Sequence, residues 1–297
     1  FTALLDGQLH AAQVTGPLGE NLEATFGIAE FHGETIGIIE SASVISLSKI
    51  PPPKQNPLNT STYGVGELIA AYLDCSPTTL YIGGGDSSTN DAGVGMTQAL
   101  GAKFFDRRAQ PIGFGGRELV NIYTIVTRDI DERISGTNII GICNLGSILC
   151  GEDGTTKIYA PRKGATPEAV AMLDEAVEHY ANRVHEQLQT DIRYLPGSGA
   201  SGGLGSALSL YLGAELQDNI YILQSLGIEE KIEAADQVII SEGILDATTF
   251  RGKINSKLIA LAKKHDKKVV AVVGGIDGDR AIYLRQGIDQ ILVINNH

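Results

Sequence analysis

Two stretches of this chain gather glycines and hydroxyl side chains in the way an anion-binding turn requires. The first is Gly83-Gly84-Gly85-Asp86-Ser87-Ser88-Thr89-Asn90-Asp91-Ala92-Gly93, set between an apolar strand and an apolar helix. Glycine lets the backbone come close to a ligand and leaves successive N–H groups free to point at an anion. Gly84, Gly85 and Asn90 lie in that backbone, and Ser87, Ser88 and Thr89 add hydroxyl donors. A helix starting near Asp91 turns its positive end toward the same spot. Asp91 itself could accept a proton or bind a metal. Taken alone, the same residues also make a tight turn with an Asx cap on the helix.

The second stretch is Pro196-Gly197-Ser198-Gly199-Ala200-Ser201-Gly202-Gly203-Leu204-Gly205, opening a helix near Leu204. Gly202, Gly203 and Gly205 repeat the cradle logic. No Gly-Lys-Ser/Thr ends the run, so it is not a Walker A loop, and it follows no good strand, which argues against a dinucleotide fingerprint. A hinge between domains is the other use of such a run. A third group is Ser241-Glu242-Gly243-Ile244-Leu245-Asp246, followed by Gly252-Lys253. Glu242 and Asp246 could hold Mg²⁺ and Lys253 could neutralise phosphate; the plain alternative is a helix cap with a solvated lysine. A fourth, Pro161-Arg162-Lys163-Gly164, pairs two cations that suit a carboxylate or phosphate, or stand as surface charge.

These groups need elements to hold them. Ala24–Ala29 and Thr35–Glu40 read as strands around a turn at residues 31–34, and Pro51-Pro52-Pro53 as an extended surface loop. A helix is expected over 66–73 and a short apolar strand over 79–82, feeding the first glycine turn. Thr166 is an N-cap candidate with Pro167 at the first helical position. Val170, Leu173, Ala176, Val177, Tyr180, Val184 and Leu188 then form a stripe, predicting one amphipathic helix over 167–188. The last third alternates: strand 237–241, helix 252–264, strand 268–273, helix 279–285, strand 290–294. That pattern predicts a parallel sheet covered on both faces, with 241–246 and 274–279 as the loops at its carboxyl ends.

The 297 residues carry a formal charge of -12, with 43% hydrophobic and 20% charged residues. No Lys/Arg footprint for nucleic acid is visible, and an acidic exterior disfavours anionic lipid. No apolar stretch reaches the length of a membrane span and no signal peptide is seen. Cys75, Cys143 and Cys150 show no metal spacing and read as buried thiols of a reducing compartment. The six histidines show none either; His179 and His185 read as exposed on the long helix.

Taken in order, these stretches resemble the type-1 glycerate kinase family over nearly the whole chain. The residues that carry the resemblance are Val14-Thr15-Gly16-Pro17-Leu18-Gly19, Asn56-Pro57-Leu58 with Thr62 to Ile69, Gly85 to Met96, Lys163 to Glu168 and Gly197 to Gly205. The family's Asp-Ser-Phe-Lys segment has no counterpart here. The family's Asp is absent after Cys143, and its Arg is absent between Gly243 and Asp246. The resemblance implies an α/β enzyme of two domains with the active cleft between them. Residues 1–215 would be an inserted α/β domain, and 216–297 the C-terminal part of a flavodoxin-like parallel-sheet domain whose N-terminal part is absent. The implied activity is ATP-dependent phosphorylation of D-glycerate to 2- or 3-phosphoglycerate with Mg²⁺, by a cytoplasmic enzyme with room for a homodimer. Transfer would be in line and direct. The two glycine loops would cradle phosphates, Lys163 or Lys253 would meet the acid or the moving phosphate, and Asp91, Glu242 and Asp246 would share the base and metal roles. A non-catalytic regulatory homologue and a kinase for another hydroxy or sugar acid are the rival readings.

Overall fold

Strands β1 (Gln8–Thr15), β2 (Asn21–Phe31) and β3 (Glu34–Glu40) form an antiparallel meander in the computed structural model, which describes residues 1–75, 78–250 and 254–294. The β2–β3 turn places His32 and Gly33 at φ 52° and 82°. Two residues at positive φ give the hairpin whose twist matches its strands. Contacts divide the chain into Phe1–Gln217 and Asp218–His297.

In the first unit β4 (Thr79–Gly83) pairs parallel to β3, and β7 (Asn138–Cys143) parallel to β4. With β8 (Glu215–Asp218) the sheet order is β1-β2-β3-β4-β7-β8. Thr79 to Ile82 are all buried, as a central parallel strand covered on both faces must be. A small hairpin, β5 (Lys103–Phe105) and β6 (Thr124–Val126), stands apart from this sheet. The helices are α1 (Ala42–Ile45), α2 (Tyr63–Leu73), α3 (Val94–Ala99), α4 (Thr155–Tyr159), α5 (Pro167–Leu188) and α6 (Ala200–Leu212). Helix α5 runs as its apolar spacing predicts, with the Thr166 hydroxyl accepting from the Ala169 amide and Leu173, Ala176, Val177, Tyr180 and Val184 buried. Pro52–Lys54 forms an exposed 3-10 turn, not the extended loop expected; the fixed proline φ suits that turn as well.

The second unit contains α7 (Tyr221–Ser225), α8 (Ile228–Ala234), β9 (Gln237–Leu245), α9 (Ile254–Lys264), β10 (Lys268–Ile276), α10 (Arg280–Arg285) and β11 (Gln290–Val293). The sheet is parallel, in the order β11-β10-β9. The expectation that both faces are covered fails among the described residues. The strand order steps the same way twice, so two right-handed crossovers put both helices on one face. Ile240, Val269, Ala271, Val273 and Ile291 pack there with Ile232, Ile259 and Tyr283. On the other face Ile239 is 62% and Leu292 45% exposed. The strands also run further than expected: Glu242 pairs with Val273, Ile244 with Gly275 and Leu245 with Ile276. The ladder continues through the glycines, so the carboxyl-end loops begin at Asp246 and Asp277, not at 241 and 274.

Candidate active site

The first glycine turn leaves β4 at the carboxyl ends of β3, β4 and β7, and the Gly84 amide donates to the Ile142 carbonyl at 2.8 Å. Its outer edge is open: Gly84 is half-buried, while Gly85 and Asp86 are exposed. From Ser87 to Asp91 every residue is buried. The Ser88 hydroxyl donates inward to the Ile45 carbonyl at 2.9 Å, and the Thr60 hydroxyl donates to the Ser88 carbonyl at 2.8 Å. The Asn90 amide donates to the Thr156 hydroxyl at 3.0 Å. Asp86, at φ 44°, is held by the Ser46 hydroxyl at 2.5 Å.

Asp91 sits beneath this turn. Its carboxylate accepts from the Thr62 amide (2.8 Å) and hydroxyl (2.9 Å), the Ser61 hydroxyl (3.4 Å), and the Gly93 and Gly95 amides (3.2 and 3.3 Å). Burial pushes its pKa up, opposed first by the donors of Thr62 and then by the two glycine amides. The helix behind the turn begins at Val94, not near Asp91, and is six residues long. The anion at its N-terminus is therefore the Asp91 carboxylate. Lys163 reaches the same turn from 74 to 76 positions further along the chain. Its ammonium is buried and donates to the Ser87 hydroxyl at 2.9 Å and to the Thr89 carbonyl at 2.6 Å, whereas Arg162 is exposed.

The second glycine stretch lies against the first, and the Ala92 amide donates to the Gly202 carbonyl at 3.0 Å. Ser201, Gly202 and Gly203 are all left-handed, at φ 53°, 70° and 93°, so regular helix starts only at Leu204. A Cβ on Gly202 would overlap the Thr89 carbonyl, and one on Gly203 would stand 2.6 Å from Ala92 Cα. A Cβ on Gly205 would overlap the Gly197 carbonyl. All three glycines are buried and serve close backbone packing. The stretch is tied to the loop after β7 by the Gly197 amide to the Leu145 carbonyl (2.9 Å) and by the Leu149 amide to the Ser198 hydroxyl (3.0 Å). It is a packed element in this unit, not a loose hinge.

Where the loops meet, the Thr89, Thr155 and Ser201 hydroxyl oxygens and the Asn90 side-chain oxygen are buried without hydrogen-bond partners. Ser41 and Ser43, just past the end of β3, add two more such hydroxyls. Native proteins keep few such groups, and the carboxyl end of a parallel sheet is where open α/β sheets bind ligands.

A family model described as the glycerate kinase family matches residues 1–297. The chain is 40% identical over 289 residues to the glycerate kinase of Haemophilus influenzae, covering 97% of this chain and 76% of that one. It is 38% identical over 293 residues to the glycerate 2-kinase of Escherichia coli K12, covering 98% and 76%. A crystal structure that carries the name glycerate kinase 2, from Salmonella typhimurium LT2, matches with a TM-score of 0.79 at 34% identity, over 99% of this chain and 76% of that one. The chain belongs to the glycerate kinase family. It is a kinase of mixed α/β architecture.

In this glycerate kinase family member the structure gathers Gly84, Gly85, Ser87, Ser88, Thr89, Asn90, Asp91, Lys163, Gly202, Gly203 and Gly205 in the first unit. Glu242 and Asp246 belong to the second. Glu242 lies within β9 and accepts from the Asn255 amide at 3.4 Å; Asp246 follows the strand and accepts from the Thr248 amide and hydroxyl at 2.7 and 2.6 Å. Lys253 and Gly252 lie outside the described residues. No group of three or more His, Cys, Asp or Glu that could hold a metal is found among the described residues. No helix among them is long and apolar enough to cross a membrane. Sequence reasoning missed Thr62, which holds Asp91 through two bonds from 29 positions away, and Ser201. A serine followed by two glycines was the available signal for Ser201. Two smaller expectations also change. Cys75 is exposed while Cys143 and Cys150 are buried, and His179 is half-buried against the Ile122 carbonyl at 2.7 Å because it lies beside the buried stripe of α5.

Proposed function

We propose that this protein transfers the γ-phosphate of ATP to a hydroxyl of D-glycerate, giving phosphoglycerate. The observation that carries the reading is the meeting of the two glycine stretches at a sheet's carboxyl end, with unpartnered polar groups between them, in a chain of this family. Direct transfer asks a protein for positioning and charge neutralisation more than for covalent chemistry. The Gly84 amide is taken by the Ile142 carbonyl, so it is the exposed Gly85 that offers its backbone N–H to an anionic oxygen. Gly202 and Gly203 pack against the Thr89–Ala92 part of the same turn, and Gly205 against Gly197. Of the roles open to Asp91, its five protein donors favour holding the turn.

Mg²⁺ commonly takes one or two protein carboxylates and completes its shell with water and phosphate oxygens. Glu242 and Asp246, near the end of β9, fit that donor set. When bound there, the ion neutralises phosphate charge. Lys253 is assigned to the same task. The domain reading follows the family: residues 1–215 as the inserted domain and 216–297 as part of the flavodoxin-like one. The three free thiols suit work in the cytoplasm. The name of the Escherichia coli relative favours the 2-hydroxyl as acceptor.

The test is ADP release by the complete protein with ATP, Mg²⁺ and D-glycerate, followed by ³¹P NMR of the product. Turnover with a 2-phosphoglycerate signal is expected. Binding of both ligands by calorimetry without turnover would replace the kinase with a regulatory binder, and turnover restricted to other hydroxy acids would replace the substrate.

A further inference from the structure

Two charged side chains at the loop junction are shut away from water, and they are treated differently. Asp91 meets five donors. Lys163, 6% exposed, meets two neutral acceptors, the Ser87 hydroxyl and the Thr89 carbonyl. An ammonium has three N–H groups to place. The acids that face Lys163 are Asp91 and Asp86, both on the turn, and each is already engaged, by Thr62 and Ser46 among others. Arg162, beside it in sequence, points a second cation to the surface. Burial pushes the Lys163 ammonium down to about 7, against the pull of Asp91 and then Asp86. Earlier in the same turn, Gly85 and Asp86 are exposed. The turn thus carries an under-compensated cation against its buried Ser87–Thr89 part and an exposed Gly85 two residues before it.

We propose that Lys163 is a positioning residue: it fixes the Ser87–Thr89 backbone from within, and its protonation is coupled to the arrival of an anion on the outer edge of the same turn. This rests on the reading of that edge as the site of an anionic substrate. An anion outside favours the charged lysine inside, so ligand binding takes up protons and protonation tightens binding, by reciprocity. The ligand class is an acid or phosphate oxygen carrying full negative charge.

The experiment uses the complete protein, with K163R and K163M, and D-glycerate with ATP as the probe. For the wild type, kcat/KM falls about tenfold per pH unit above pH 7, because this ratio reports the free enzyme. The alkaline limb of kcat lies higher, because the bound anion holds the proton. K163R, which stays charged, shifts the limb of kcat/KM above pH 9. K163M loses the limb and falls about 100-fold in kcat/KM. A second measurement needs no turnover: amide hydrogen exchange of residues 84–91 without ligand. Wild type, corrected for intrinsic rates, protects this segment more at pH 6.5 than at 8.5, whereas K163M is equally open at both. Wild-type pH profiles and unchanged exchange in K163M overturn the proposal. A wild type that fails to phosphorylate glycerate yet shows the pH-dependent exchange breaks the kinase reading and leaves the lysine's role standing.

Discussion

The two glycine-rich stretches have similar composition and opposite surroundings. In the Gly197–Gly205 stretch a Cβ on Gly199, Gly202 or Gly205 would overlap a carbonyl oxygen, of Ile148, Thr89 and Gly197 respectively, and Gly202 and Gly203 need positive φ. In the Gly83–Gly93 stretch, Gly85 has nothing within 4 Å of where its Cβ would be. One stretch spends its glycines on backbone packing, the other leaves one facing solvent at a strand's carboxyl end. Glycine content alone does not separate a surface that packs from a surface that binds. What a side chain would collide with does.

Substitutions can break that comparison. The largest effects belong to the buried groups, one in each stretch. D91A strands the Thr62, Gly93 and Gly95 amides in a buried site and is expected to cost about 3–5 kcal/mol in urea denaturation. G202A combines a positive φ of 70° with overlap on Thr89 and is expected to cost about 2–4 kcal/mol. A G202A loss below about 1 kcal/mol would mean the second stretch is not a packed element, and a D91A loss below about 1 kcal/mol would remove the carboxylate from the support of the first turn.

A middle-sized effect comes from Lys163. Its folded pKa, about 7, is below its ordinary value, so between those values the unfolded chain binds more protons. Its contribution therefore makes stability rise with pH above about 7, by up to ~1.4 kcal/mol per pH unit. Denaturation of the wild type at pH 7.5 and 9, compared with K163M, should show that extra slope, and equal slopes would contradict it. The smallest change is on the open side. G85A should shift stability by no more than about 0.5 kcal/mol while lowering kcat/KM. A G85A enzyme with full activity would remove the outer edge from the site.

Much of the fold was legible. Helix α5 announced itself by a threonine cap, a proline at its first position and a stripe that its burial repeats. The alternating last third gave its parallel sheet, because strand and helix periods differ. The strand ends lie further on than expected: Gly243, Gly274 and Gly275 look like loop residues, whereas the ladder resumes past Gly243 and Gly274 with the Ile244–Gly275 and Leu245–Ile276 pairs. The open face was misjudged because crossover direction depends on strand order, which periodicity does not encode. In the site, both glycine stretches and Lys163 were visible as residue types. Their inward or outward direction was not: Ser88 and Asp91 satisfy protein groups instead of facing outward, through partners 29 to 43 residues away.

Residue type and local spacing determined which segments turn, cap or cross a sheet, because those choices are settled within a few residues by backbone freedom and apolar periodicity. Only the tertiary structure decided which glycine packs, which faces solvent, and that a lysine beside an exposed arginine is buried behind the turn. Burial and desolvation arise from segments distant in the chain closing over a group, and no local pattern contains them.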